Sequence, residues 1–185
     1  DFITFSRRRH YAPFDAGFMH ETRGCYCFGT HDRVKLKVFR LPIDLRAKRE
    51  VYHFLRHVER QQDKYLFNLY SMVTMPVLHG FVIDGAHNCM SFVGKVVELS
   101  GAVRLARPYY RYDIRALDAL LAPYLYTERY FSDRSYWCTS DRGAQMPPGY
   151  MDRVSLRENI RLFLRLNKRL LSRIRKGGRD AGCHI

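Results

Sequence analysis

The residues of this chain best suited to chemistry lie in the stretch Asn88-Cys89-Met90-Ser91-Phe92-Val93. Cys89 follows a glycine-containing turn, Asp84-Gly85-Ala86-His87, and opens a segment with Phe92, Val93, Val96, Val97 and Leu99 as its apolar residues, which reads as a helix. A thiol in the first turn of a helix faces unpaired backbone N–H groups and the positive end of the helix dipole. Both favour the thiolate, which is the nucleophile. Asn88 and Met90 flank it and are the candidates for an oxyanion site or cleft wall. The competing reading is an inert buried thiol, since free cysteine is among the most buried residue types.

A nucleophilic thiol needs a base. His87 is two residues from Cys89, but neighbours that close along a turning backbone tend to point apart. His20, beside Glu21, reads as part of a loop that could swing toward a cleft. His79 sits in an apolar stretch and reads as a semi-buried residue. His20, Cys25, Cys27 and His31 together offer two thiols and two imidazoles for zinc. The Cys-x-Cys spacing is tighter than the usual gap between zinc ligands, so neither a metal nor another cofactor is expected.

The other feature with chemical content is an arginine ladder. Arg153, Arg157, Arg161, Arg165, Arg169 and Arg173 recur every four residues and make a slowly drifting basic stripe on a helix. Ile160, Phe163, Leu164, Leu170, Leu171 and Ile174 are expected on the opposite face. Like charges at this spacing repel, so the stripe is either a solvated face or a site for an anionic partner: nucleic acid, acidic lipid or an acidic protein. Guanidinium suits phosphate because it binds oxyanions bidentately. Arg7-Arg8-Arg9 forms a second basic cluster, and Tyr109, Tyr110 and Tyr112 offer rings on which bases could stack.

These groups must be held by a scaffold. The chain has 185 residues, 46% of them hydrophobic, and a formal net charge of +14. That is enough to bury a core, and the charge favours polyanions or anionic surfaces. The longest apolar stretch, 69–83, is broken by Pro76, His79 and Gly80 and is no membrane-spanning helix. The sequence begins at Asp1 without a charged-then-apolar leader and reads as a fragment or a processed product. Five cysteines make an odd count without a disulfide framework, which favours a reducing compartment: cytoplasmic, or peripheral to a membrane.

Residues 2–5 read as a strand end, and 34–41 as a strand that alternates Val34, Leu36 and Val38 with basic residues. Asp44 is a plausible cap for a helix whose stripe is Ala47, Val51, Phe54, Leu55 and Val58. The helix headed by Cys89 should stop at Ser100-Gly101. A short extended piece is expected at 103–105, and a helix capped by Asp113 with Ile114, Leu117, Leu120 and Leu121. The resulting division is a core over 1–126, a loop or linker over 127–150, a basic amphipathic helix over 151–179 and a tail over 180–185.

Several pieces fall in one order: Phe5-Ser6-Arg7-Arg8; Pro13-Phe14 and Gly17-Phe18 with Glu21; the strand 35–41; the helix 44–62; Tyr65-Leu66-Phe67-Asn68; and Asn88-Cys89-Met90-Ser91-Phe92-Val93. In that order, over residues 2–122, the chain resembles a bacterial branch of the permuted NlpC-type papain-like cysteine hydrolases. The resemblance implies an α+β fold, a permuted papain-like core in which a small antiparallel sheet packs on helices, here with a basic C-terminal helix. It implies that Cys89, in a Cys-x-x-Phe-Val pattern, is the nucleophile. It also implies a catalytic histidine on a strand before the cysteine, oriented by a further polar group, with an acidic residue in the His20-Glu21 region. That strand would come just ahead of Asp1, so the histidine does not carry over. Tyr65, Asn68 and Phe92 are expected to shape core and cleft.

The function expected is a cysteine hydrolase or acyltransferase that acts on an acyl-containing substrate, an amide, thioester or ester, through Cys89. The alternative is a catalytically inactive papain-like module recruited to a polyanion or membrane surface by its basic helix.

Overall fold

The computed structural model describes residues 2–21, 33–131 and 149–180. Over these residues it is a mixed α and β structure with three two-stranded sheets. β1 (Phe2–Arg7) pairs antiparallel with β2 (Ala16–Glu21), with Phe5 opposite Phe18 and Ile3 opposite His20. His20 is therefore a strand residue rather than a loop residue. The turn between the strands closes on Asp15, whose buried carboxylate takes Arg8 at 2.6 Å and Arg9 at 2.8 Å. A carboxylate that is 2% exposed needs such partners, and two of the three arginines at 7–9 are spent on it.

β3 (Val34–Phe39) leads to α1 (Leu45–Arg60), where the Asp44 carboxylate accepts from the Ala47 N–H at 2.7 Å. The expected stripe is the inward one, with Val58 fully buried and Phe54 and Leu55 packed beside it. β4 (Leu66–Phe67) runs parallel to β5 (Ala86–His87), and α2 (Leu69–Val73) and α3 (Met75–Leu78) lie between them in sequence. α4 (Cys89–Ser100) ends on Gly101 at φ +63, a left-handed turn that glycine adopts without strain. Gly94 lets the 3-10 turn Tyr109–Arg111 approach: a Cβ there would meet the Tyr109 carbonyl oxygen at 2.5 Å. α5 (Ile114–Leu121) is capped by Asp113 as expected.

Three further expectations differ from the structure. Residues 127–131, expected in a linker, belong to β6 (Leu125–Phe131), which pairs antiparallel with β3. Most of this strand's side chains are exposed, so it lacks the apolar alternation that marks a half-buried strand. Polar contacts hold the area together: Lys35 with Glu128, Lys37 with Asp118, and Arg40 over the Tyr126 ring. Residues 103–105, expected as a short strand or extended piece, form no strand: a bend covers 102–103 and no regular element covers 104–105. The backbone around them is fastened by side chains, with Tyr124 donating to the Ala102 carbonyl and Tyr112 accepting from the Ala106 N–H. Finally, α6 (Leu156–Asp180) begins five residues later than 151, because the Ser155 hydroxyl accepts the Glu158 N–H and starts the helix there.

The ladder β4–β5 divides two cores, since successive strand residues point to opposite faces. Leu66 and Ala86 face an aliphatic core with Ala12, Ile83, Leu162 and Leu166. Phe67 faces an aromatic core with Phe5, Ala16, Val58 and Phe92, and the ring of His87 lies against Phe5 and Phe92. α6 is thus part of the body, with Leu166 fully buried.

Candidate functional site

The ladder delivers Cys89 to its place. The Leu66 N–H bonds the Gly85 carbonyl and the Asn68 N–H bonds the His87 carbonyl, which fixes the strand up to the residue before Asn88. Asn88 then caps α4. Its carboxamide oxygen accepts from the Ser91 N–H at 2.7 Å, and the Ser91 hydroxyl accepts from the Asn88 N–H at 3.0 Å. This capping box engages the Asn88 carboxamide oxygen and N–H, so buried Asn88 is fixed behind the cysteine and is not part of the lining of the groove beside it. Cys89 is the first helical residue and is exposed.

Its side chain lines a groove of about 730 Å³ formed by β1, β2, α1 and α4. The walls are mostly apolar: Ile3, Phe5, Phe18, Leu55, Phe92, Val93 and Val96. Glu21, at the end of β2, lines the same groove. Arg56 stands on its α1 side, held by the Tyr52 hydroxyl at 2.8 Å and by Glu59 at 2.9 Å. Thr4 also lines it, and its hydroxyl oxygen is buried without a hydrogen-bond partner among the described residues.

The thiol's electrostatics run against the sequence expectation. The groove keeps enough water from the sulfur to push the Cys89 pKa up, although the residue as a whole is exposed. The backbone N–H groups of Met90 and Cys89 pull it down, as the helix start predicts, but desolvation outweighs them. The resting side chain is therefore the neutral thiol. Met90 contributes this N–H, and its own side chain is not part of the groove lining.

The histidine candidates separate clearly. The ring of His87 lies among Phe5, Phe54, Tyr65, Phe92 and Tyr109. Burial there, with a smaller contribution from Lys95, lowers its pKa to about 4, so it is neutral at physiological pH. Phe5 and Phe92 touch that ring and also line the groove, so they stand between His87 and the cavity holding Cys89. His20 is set by the β-ladder register opposite Ile3, a groove residue, and directly before Glu21. The α1 residues at the groove, Tyr52, Leu55, Arg56 and Glu59, were not singled out as cleft residues from the sequence. Their signal there was only the edge of an amphipathic stripe.

The arginine ladder is split. Arg165 donates to the carbonyls of Asp63 and Lys64, and Arg169 to those of Gly85 and Lys64 at 2.8 Å each. These rungs tie α6 to the start of both ladder strands. One guanidinium nitrogen of Arg173 is buried without a partner among the described residues. Arg153, Arg157 and Arg161 remain exposed. The expected opposition of faces is also corrected: Ile160, Phe163, Leu164, Leu171 and Ile174 are exposed, while Leu170 packs on the core. Tyr112 is buried and offers no stacking surface.

Cys25, Cys27 and His31 lie outside the described residues, and among those described no group of three or more candidate ligands could hold a metal ion. No described helix is long and apolar enough to cross a membrane. Comparison of the chain with protein-family models, curated proteins and solved structures finds no match.

Proposed function

We propose that this chain is a papain-like cysteine hydrolase or acyltransferase of the permuted NlpC type, acting on a thioester, ester or amide whose acyl group carries an apolar chain. The observation that supports this reading is the groove itself. It holds an exposed thiol at the head of a capped helix and a carboxylate, Glu21, inside walls that are otherwise mostly hydrocarbon. Apolar walls suit an alkyl chain and do nothing to select a charged headgroup.

A base takes the thiol proton, and the sulfur attacks the acyl carbonyl carbon. The carbonyl oxygen gains charge that the first N–H groups of α4 stabilise. The leaving group departs with the proton, and the acyl group stays on Cys89 as a thioester until water or an acceptor removes it. Because desolvation raises the thiol's pKa, deprotonation has to be coupled to attack, so a base is required rather than optional. The base is His20, set opposite the groove residue Ile3, and the Glu21 carboxylate that lines the same groove offsets the positive charge it gains.

Turnover of a long-chain acyl thioester tests the reading. Cys89→Ser should abolish turnover and Glu21→Gln should lower it by at least about tenfold. Loss of activity in His20→Ala assigns the base to His20, and retained activity removes His20 from that role. Unchanged turnover in Cys89→Ser would refute the enzyme.

A further inference from the structure

A four-residue repeat on a helix that turns about 100° per residue advances about 40° per rung, so the ladder swings about 160° between Arg157 and Arg173. The packing follows this rotation: Arg165 and Arg169 fasten α6 to the body, while Arg157 and Arg161 stay in solvent. The rotation also governs the apolar residues. Leu162 and Leu166 face the core, whereas Leu156, Ile160, Phe163, Leu164, Leu171 and Ile174 are exposed, Leu156 by 76% and Ile174 by 61%. At helical pitch these six share one arc about 100° wide. Arg157, Arg161, Lys168 and Arg175 are exposed as well and border that arc along one side. Glu158, the acidic residue of the first turn, is already paired with Arg9 at 2.7 Å.

Asn167 is the polar residue within the arc, where its amide donates to the Tyr70 hydroxyl of α2. The neighbouring α2–α3 segment also exposes Val73, Val77 and Leu78. An apolar strip with a basic margin is thus exposed along α6 itself, on a helix rather than in a cleft.

We infer that this strip docks the protein on an anionic lipid bilayer, with α6 lying in the plane of the interface. Both halves of the face are met there: the arc enters the boundary between headgroups and acyl chains, and the bordering cations meet lipid phosphates. A second copy of the chain is a poorer occupant, because each copy carries a formal charge of +14 and would bring its own basic margin. Nothing here depends on chemistry at Cys89.

Flotation with vesicles tests the inference, comparing neutral phosphatidylcholine with the same lipid containing phosphatidylserine. The chain should bind the anionic vesicles, and more weakly as salt rises. Leu164→Glu with Leu171→Glu, and separately Ile160→Glu with Ile174→Glu, should each weaken binding at least about tenfold while circular dichroism and thermal unfolding stay unchanged, because all four residues are exposed. Arg157→Gln with Lys168→Gln should weaken binding to anionic vesicles alone. Cys89→Ser should bind normally, which separates this result from the enzyme's. No binding to anionic vesicles, binding that ignores both glutamate pairs, or a dimer in sedimentation that those pairs dissolve would overturn the inference.

Discussion

The ladder β4–β5 has a core on each side, and the two cores are finished differently. The aliphatic one is sealed: α6 lays Leu162 and Leu166 over it, and Arg165 and Arg169 fasten the helix to main-chain carbonyls. The aromatic one is left open along the groove, where Phe5, Phe18 and Phe92 serve as core residues and groove walls at once and Cys89 stands at the exposed edge. The difference teaches that the apolar surface of the groove is a continuation of the core rather than an accident of a loop. One side of the ladder is closed by a helix, and the other opens on a groove that holds an exposed thiol.

Substitution on the two sides should therefore have unequal costs. Leu166→Ala, in the sealed core, should lower unfolding stability by about 3–4 kcal/mol in denaturant titration. Val93→Ala, half-exposed in the groove, should cost less than about 1 kcal/mol while reducing the preference for long acyl chains. Equal costs would erase the comparison.

His87 sharpens it from the acid side. Its folded pKa of about 4 lies below the ordinary 6.5, so as pH falls the unfolded chain takes the proton first. The stability that comes from keeping the ring neutral is complete above about pH 6.5 and is lost as pH drops toward 4, by about 3 kcal/mol in all. His87→Phe keeps a ring among the aromatic neighbours and should remove most of that acid sensitivity, as read from urea midpoints at pH 7 and 4.5. Asn88→Ala removes the cap that joins the ladder to α4 and should cost about 2 kcal/mol by the same titration.

Much of this scaffold was legible in the sequence. Asp44, Asp113 and Gly101 announced helix ends, because capping is a local interaction between neighbours in the chain, whereas Asn88, read only as an oxyanion or cleft candidate, is the cap of α4. β6 was not legible, since Glu128, Arg129 and Tyr130 are all exposed and their spacing carries no burial signal. The ladder's period was plain, but which rungs meet the body depends on where Leu162 and Leu166 dock, and that is a tertiary fact. At the site, Cys89 and its position on the helix were readable. The direction of its pKa was not, because the amides that lower it are local while the desolvation that raises it comes mainly from groove walls on distant segments, such as Phe5, Phe18 and Leu55.

The most direct measurement is mass-spectrometric localisation of alkylation over the five cysteines, comparing iodoacetamide with its N-dodecyl derivative across pH 6–10. The dodecyl reagent should select Cys89, by at least about tenfold over its own rate at the other four, and the Cys89 rate should climb steadily with pH because the thiol's pKa is raised. Equal labelling of all five cysteines, with no effect of chain length at Cys89, would contradict the proposed function.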